Sequence, residues 1–106
     1  MVKPYKVYTA LLTQTGTDAP TATVLENTLG GEVVWSRTSV GRYTGTLNNA
    51  FTLNKTIVFL NLGGAGSNTA YTTHAYSNSI STVLLQPNPG SDNLFSPAAI
   101  EIRVYN

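Results

Sequence analysis

The run from Ala98 to Tyr105 constrains the fold more than any other stretch of the chain. Ala98, Ile100, Ile102 and Val104 fall on one side of an alternation, with Glu101 and Arg103 on the other. Successive side chains of an extended strand point to opposite faces, so a period of two marks a strand with one face buried. Two further stretches show the same period. Tyr5, Val7, Thr9 and Leu11 alternate with Lys6, Tyr8, Ala10 and Leu12, and Val33, Trp35 and Arg37 alternate with Glu32, Val34 and Ser36.

Turn residues delimit the other strands. Gly41 to Leu47 and Lys55 to Leu62 are read as strands, followed by a turn at Gly63 to Asn68. The second contains the unbroken run Ile57, Val58, Phe59 and Leu60, which predicts a central strand covered on both faces. Thr69 to Ser77 and Ile80 to Gln86 are predicted to pair across a tight turn at Ser77-Asn78-Ser79. Pro87 to Asn93 reads as a loop, because its two prolines lack the N–H that a ladder needs.

One segment admits two readings. Asp18-Ala19-Pro20 is suited to cap a helix running to Leu29, with Gly30 as its stop. The β-branched Thr21, Thr23, Val24 and Thr28 argue instead for a strand, and a strand is the expectation. The sum is about eight short strands in one domain spanning residues 1–106. Such an all-β chain forms an antiparallel β-sandwich (jelly-roll-like) or a closed barrel. Val33, Trp35, Ile57, Phe59, Ile100 and Ile102 are the expected core.

Composition narrows the function. The 106 residues contain 6 Lys and Arg, 5 Asp and Glu, and no cysteine. Charged residues make up 10% of the chain, against about 25% in an average domain. Lys3, Lys6, Arg37, Arg42, Lys55 and Arg103 are scattered along it, so no basic stripe is present for a phosphate backbone and nucleic acid is not an expected partner. Thr, Ser and Asn supply 34 residues. A surface of small neutral polar groups is weakly protected by charge against self-association, which suggests that part of it is covered in an assembly. No apolar run reaches the roughly 18 residues of a membrane helix. Met1 to Tyr5 has no apolar leader segment, and the expectation is synthesis in a cytoplasm without secretion by a signal peptide.

No constellation of residues points to catalysis. His74 is the only histidine, and its strand neighbours Thr72 and Tyr76 are neither metal ligands nor strong bases. No serine lies in a Gly-x-Ser-x-Gly elbow, and nothing places two of the five acids across a cleft. Gly63-Gly64-Ala65-Gly66 lacks the Lys-Ser/Thr and the following helix of a phosphate loop. Asp18 and Asp92 lack the oxygen-rich spacing of a calcium loop. The expectation is a protein without catalytic residues, cofactor or metal. Tyrosine is favoured at interfaces, and Tyr43, Tyr71 and Tyr76 are the candidates here.

Two stretches, YKVYTALLTQ from Tyr5 and TATVLENTLGGEVVWSRTSVGRYTGTL from Thr21 to Leu47, resemble a small uncharacterised domain of tailed bacteriophages that infect marine Bacteroidetes. The resemblance covers roughly the first half of the chain and carries no functional residues. It implies a virion-associated protein: a capsid decoration, head-fibre or tail component, in contact with its own copies and with other virion proteins. Phage fibres and decorations are often trimeric, so the resemblance implies a homo-oligomer, with a trimer preferred. A module of another class, binding a cell-surface glycan through exposed Tyr and Asn side chains, is the alternative. Coplanar exposed aromatics in a groove favour the glycan module, and a flat apolar patch favours the assembly.

Overall fold

The alternation at Ala98–Tyr105 is the centre of a β-sandwich. The computed structural model describes residues 4–61, 72–88 and 97–106. It contains β1 (Tyr5–Thr13), β2 (Thr21–Asn27), β3 (Val34–Ser39), β4 (Arg42–Thr46), β5 (Thr56–Asn61), β6 (Thr72–Ser79), β7 (Thr82–Asn88) and β8 (Ala98–Tyr105). No helix is present among the described residues. The strands form two four-stranded antiparallel sheets, a front sheet in the order β2-β1-β8-β5 and a back sheet in the order β3-β4-β7-β6. The two sheets pack face to face and do not close into a barrel. The segment that admitted a helix is strand β2, in register with β1 from Thr13↔Thr21 to Tyr8↔Asn27.

The inner faces follow the period of two. Tyr8, Ala10 and Leu12 of β1 and Ala98, Ile100, Ile102 and Val104 of β8 form the front wall of the core. Trp35 of β3, Tyr43 of β4, and Val83 and Leu85 of β7 form the back wall. Gly45 lies opposite Trp35 in the β3–β4 ladder and gives the indole its space. A β-carbon at Gly45 falls 2.8 Å from Trp35 Cζ3 and 2.9 Å from Val33 Cγ1.

One end of the sandwich is closed by the segment between β4 and β5. It crosses from the back sheet to the front sheet and carries Phe51, which is 0% exposed. Its backbone is tied to the β6–β7 turn by Leu47 N–H to the Ser81 carbonyl (2.9 Å) and Phe51 N–H to the Ile80 carbonyl (2.8 Å). Asn49 and Asn54 turn this segment at φ 58° and 63°, a region that asparagine tolerates better than most residues.

Several expectations are corrected. The unbroken run Ile57–Leu60 is an edge strand, because among the described residues β5 pairs with β8 alone. Its inward residues are Val58 and Leu60, while Ile57 and Phe59 are 42% and 49% exposed on the outer face. The turn expected at Ser77-Asn78-Ser79 is at Ile80-Ser81; β6 continues through Ser79 by a register shift between Ser77 and Ser79. Of the loop expected from Pro87 to Asn93, Pro87 and Asn88 belong to β7, where Pro87 is paired with Thr73, and the remainder lies outside the described residues. Among the described residues the β4 ladder reaches only Leu85, so Pro87 occupies a stretch of β7 paired on one side, where proline is tolerated. The turn read at Gly63–Asn68 lies outside the described residues.

Candidate association face

The outer face of the front sheet carries the most distinctive side-chain arrangement of the described residues. The phase that sends Ile100, Ile102 and Val104 inward sends Glu101, Arg103 and Tyr105 outward. Register sets their neighbours. Tyr105 is opposite Tyr5, Arg103 lies between Val7 and Ile57, and Glu101 lies between Thr9 and Phe59. A single patch therefore draws on β1, β8 and β5.

Arg103 organises this patch. Its guanidinium lies 4.8 Å from the Tyr5 ring centroid and 5.4 Å from that of Phe59, both diagonal cross-strand neighbours. It also forms an ion pair with Glu101 two residues away on the same face. Hydrogen bonding to Tyr105, and then to Glu101, holds the guanidinium above its ordinary pKa, so it stays charged. Tyr5 and Tyr105 meet at a centroid distance of 5.1 Å with their planes inclined by 50°. Val7 is buried opposite Arg103. Next to the patch, Thr9, Phe59, Leu60, Ala99 and Glu101 line a shallow groove of about 420 Å³.

This geometry bears on what the face can bind. Sugar recognition by stacking needs ring faces open to the ligand. Here the cation covers one face of Tyr5 and one face of Phe59, and the Tyr5–Tyr105 pair is tilted. The charges of Arg103 and Glu101 neutralise each other within the patch. The result is a broad sheet surface with exposed Ile57 and Phe59 beside a compensated ion pair.

The tyrosines expected at an interface are placed differently. Tyr43 is 1% exposed and faces the core, so it is corrected from interface to interior. Its hydroxyl donates to Gln14 Oε1 at 3.0 Å, and Gln14 Nε2 donates to the carbonyls of Gly16 (2.8 Å) and Asp18 (3.0 Å). That network satisfies the phenol inside the sandwich, which is what lets a tyrosine occupy a core position. Tyr76 is 46% exposed on β6, opposite Leu84. Tyr71 lies outside the described residues. Tyr43 and Tyr76 are not brought together. The aromatic patch is built from Tyr5, Phe59 and Tyr105, on the other sheet. Its only advance signal is the alternation of Glu101 and Arg103, which marks the outer face of β8 without revealing which strands flank it.

Among the described residues, no group of three or more His, Cys, Asp or Glu side chains is arranged to hold a metal ion. A second pocket, of about 330 Å³, opens at the end of the sandwich and is lined by Lys6, Asn48, Asn49, Lys55 and Asn106 among others. No family model matches the chain, and neither a curated protein nor a solved structure matches it.

Proposed function

We propose that this chain is a non-enzymatic structural module that works by self-association, as an accessory component of a phage particle. The observation that carries the reading is the outer face of the front sheet. Ile57 and Phe59, two large apolar side chains, stand exposed next to each other on a sheet edge in a chain with few charges to keep copies apart. Burying them in a contact between copies removes apolar area from water, at about 25 cal/mol per Å². No reacting group is needed for such a role.

The tilt of Tyr5 against Tyr105 and the guanidinium over the Tyr5 and Phe59 rings favour assembly over sugar stacking. The virion role draws its support from the resemblance of Tyr5–Leu47 to a phage domain; capsid decoration, head fibre and tail part are all consistent with it. Quantitative mass spectrometry of purified particles from a phage that carries this chain tests the role. Recovery at a fixed copy number per particle is expected. Presence in the infected-cell lysate together with absence from the particles would overturn it.

A further inference from the structure

We propose that the side of the sandwich between β2 and β3 is a binding site for a neutral sugar unit held by hydrogen bonds. The site is separate from the association face and goes beyond the self-association reading. On the opposite side of the sandwich β5 packs against β6, whereas β2 and β3 stand apart. Ala22 and Val24 of β2 lie opposite the inward Leu12 and Ala10 of β1, so both face inward. Ala22 packs against the core, but Val24 remains 49% exposed. A groove of about 460 Å³ runs there, lined by Tyr8, Ala22, Val24, Asn27, Glu32 and Val33. All six belong to the described residues. The volume falls within the ~300–1,000 Å³ of small-ligand sites.

The polar groups of this groove retain hydrogen-bonding capacity. Tyr8 is 1% exposed, and its hydroxyl oxygen accepts the Trp35 indole N–H at 3.2 Å. Among the described residues no acceptor takes the hydroxyl proton. The oxygen is satisfied as an acceptor and idle as a donor, and a ligand acceptor would complete it. Glu32 is exposed and near enough for its charge to act on the Tyr8 phenol. Its carboxylate has no ion-pair partner among the described residues. Asn27 is fixed by two bonds: Nδ2 donates to the Gly31 carbonyl at 2.8 Å, and Oδ1 accepts the Leu29 N–H at 2.9 Å. One amide hydrogen is left for a ligand.

These groups select the ligand by charge and by hydrogen-bond type. An anion would face Glu32, and no lysine or arginine lines the groove to offset the repulsion. A cation would suit Glu32 but brings donors only, so the Tyr8 proton would stay unmet. A neutral hydroxyl accepts from Tyr8 and donates to Glu32. Neighbouring hydroxyls of one sugar ring can each donate to a carboxylate oxygen, a charge-assisted pair of bonds. Ala22, Val24 and Val33 supply an aliphatic wall for the C–H groups of the ring. Aromatic stacking has no part in this mode. A peptide added as a further strand is opposed at both edges. β2 carries Glu26 and a shift against β1 at Thr9/Ala10, and β3 carries Arg37 and a shift between Arg37 and Ser39. Charges and bulges of this kind blunt an edge against strand addition.

Titration of the unmodified chain with glucose, galactose, mannose and N-acetylglucosamine tests the site. Binding is followed by backbone amide NMR shifts and by the fluorescence of Trp35, the sole tryptophan. At least one of the four sugars is expected to bind saturably and to shift Asn27, Glu32 and Val33. Glucuronate and charged glucosamine are expected to bind more weakly than that sugar. Glu32→Gln changes an exposed residue. It is expected to keep the strand signature in circular dichroism and to weaken binding by about fivefold or more. Tyr8→Phe is expected to weaken binding as well; if that variant fails to fold, Glu32→Gln decides. Absence of saturable binding by all four sugars overturns the site, as do shifts confined to other parts of the chain. Full affinity in Glu32→Gln, or tighter binding of glucosamine or glucuronate than of any neutral sugar, overturns it too.

Discussion

The indole N–H of Trp35 donates to the Tyr8 hydroxyl at 3.2 Å, joining β3 of the back sheet to β1 of the front sheet through the core. The rings are inclined by 47° at a centroid distance of 6.4 Å. The Tyr43–Gln14 bond adds a second buried polar tie, from β4 of the back sheet to the segment that follows β1, and among the described residues no buried side-chain polar atom is left without a partner. Such ties fix how the sheets face each other, a property that apolar packing alone specifies less sharply.

Tyr8→Phe is expected to leave the indole N–H buried and unsatisfied, at a cost of about 1–3 kcal/mol. Trp35→Ala removes both the ring and the bond and is expected to cost about 3–5 kcal/mol. Urea unfolding of the two single variants and the double variant gives the coupling. A Tyr8→Phe chain with an unchanged unfolding midpoint would remove the tie from the account.

Burial pushes the Tyr8 phenol above the ordinary value of 10.0, with the Trp35 hydrogen bond opposing and Glu32 adding to the rise. A raised folded pKa favours the protonated form in the folded state. Its contribution is present in full below the unfolded value of about 10 and is lost as pH rises through the folded value. Thermal unfolding followed upward from pH 9 is therefore expected to show a steeper alkaline fall in Tm for the unmodified chain than for Tyr8→Phe. Parallel curves would contradict this.

Gly45→Ala is expected to destabilise the protein by about 1–3 kcal/mol through overpacking. The new methyl would lie 2.8 Å from the Trp35 ring, and the nearby Val33 methyl leaves no simple retreat. Differential scanning calorimetry should show a lower Tm, and an unchanged Tm would mean that the indole is free to move.

Phe51 and Phe59 have opposite roles despite being the same residue type. Phe51 is 0% exposed and plugs one end of the core, so Phe51→Ala should cost about 3–5 kcal/mol. Phe59 is 49% exposed, and in dilute solution Phe59→Ala should cost no more than about 1 kcal/mol. Denaturant titrations of the pair decide the matter; comparable losses would restore β5 to the interior.

The contrast between these two phenylalanines shows how far the residues reveal the fold. Alternation at Ala98–Tyr105 and Tyr5–Thr13 exposes the class and two strands of the front wall, because a buried face and a solvated face differ in chemistry. The run Ile57–Leu60 offers no such contrast. Its outer face is as apolar as its inner one, so it reads as a central strand although it lies at an edge. Phe51 sits in a connection with no period at all, and its burial depends on how Leu47 and Phe51 bond to the β6–β7 turn. Tyr43 is satisfied in the interior by Gln14, distant in sequence, which accepts a hydrogen bond from its hydroxyl. The candidate association face depends on register between β1, β8 and β5, which no local pattern encodes.

Sedimentation equilibrium of the unmodified chain across the micromolar range tests the central claim of self-association. The account predicts a concentration-dependent rise in mass above that of the 11.3 kDa protomer. A single species at 11.3 kDa throughout the range would contradict it.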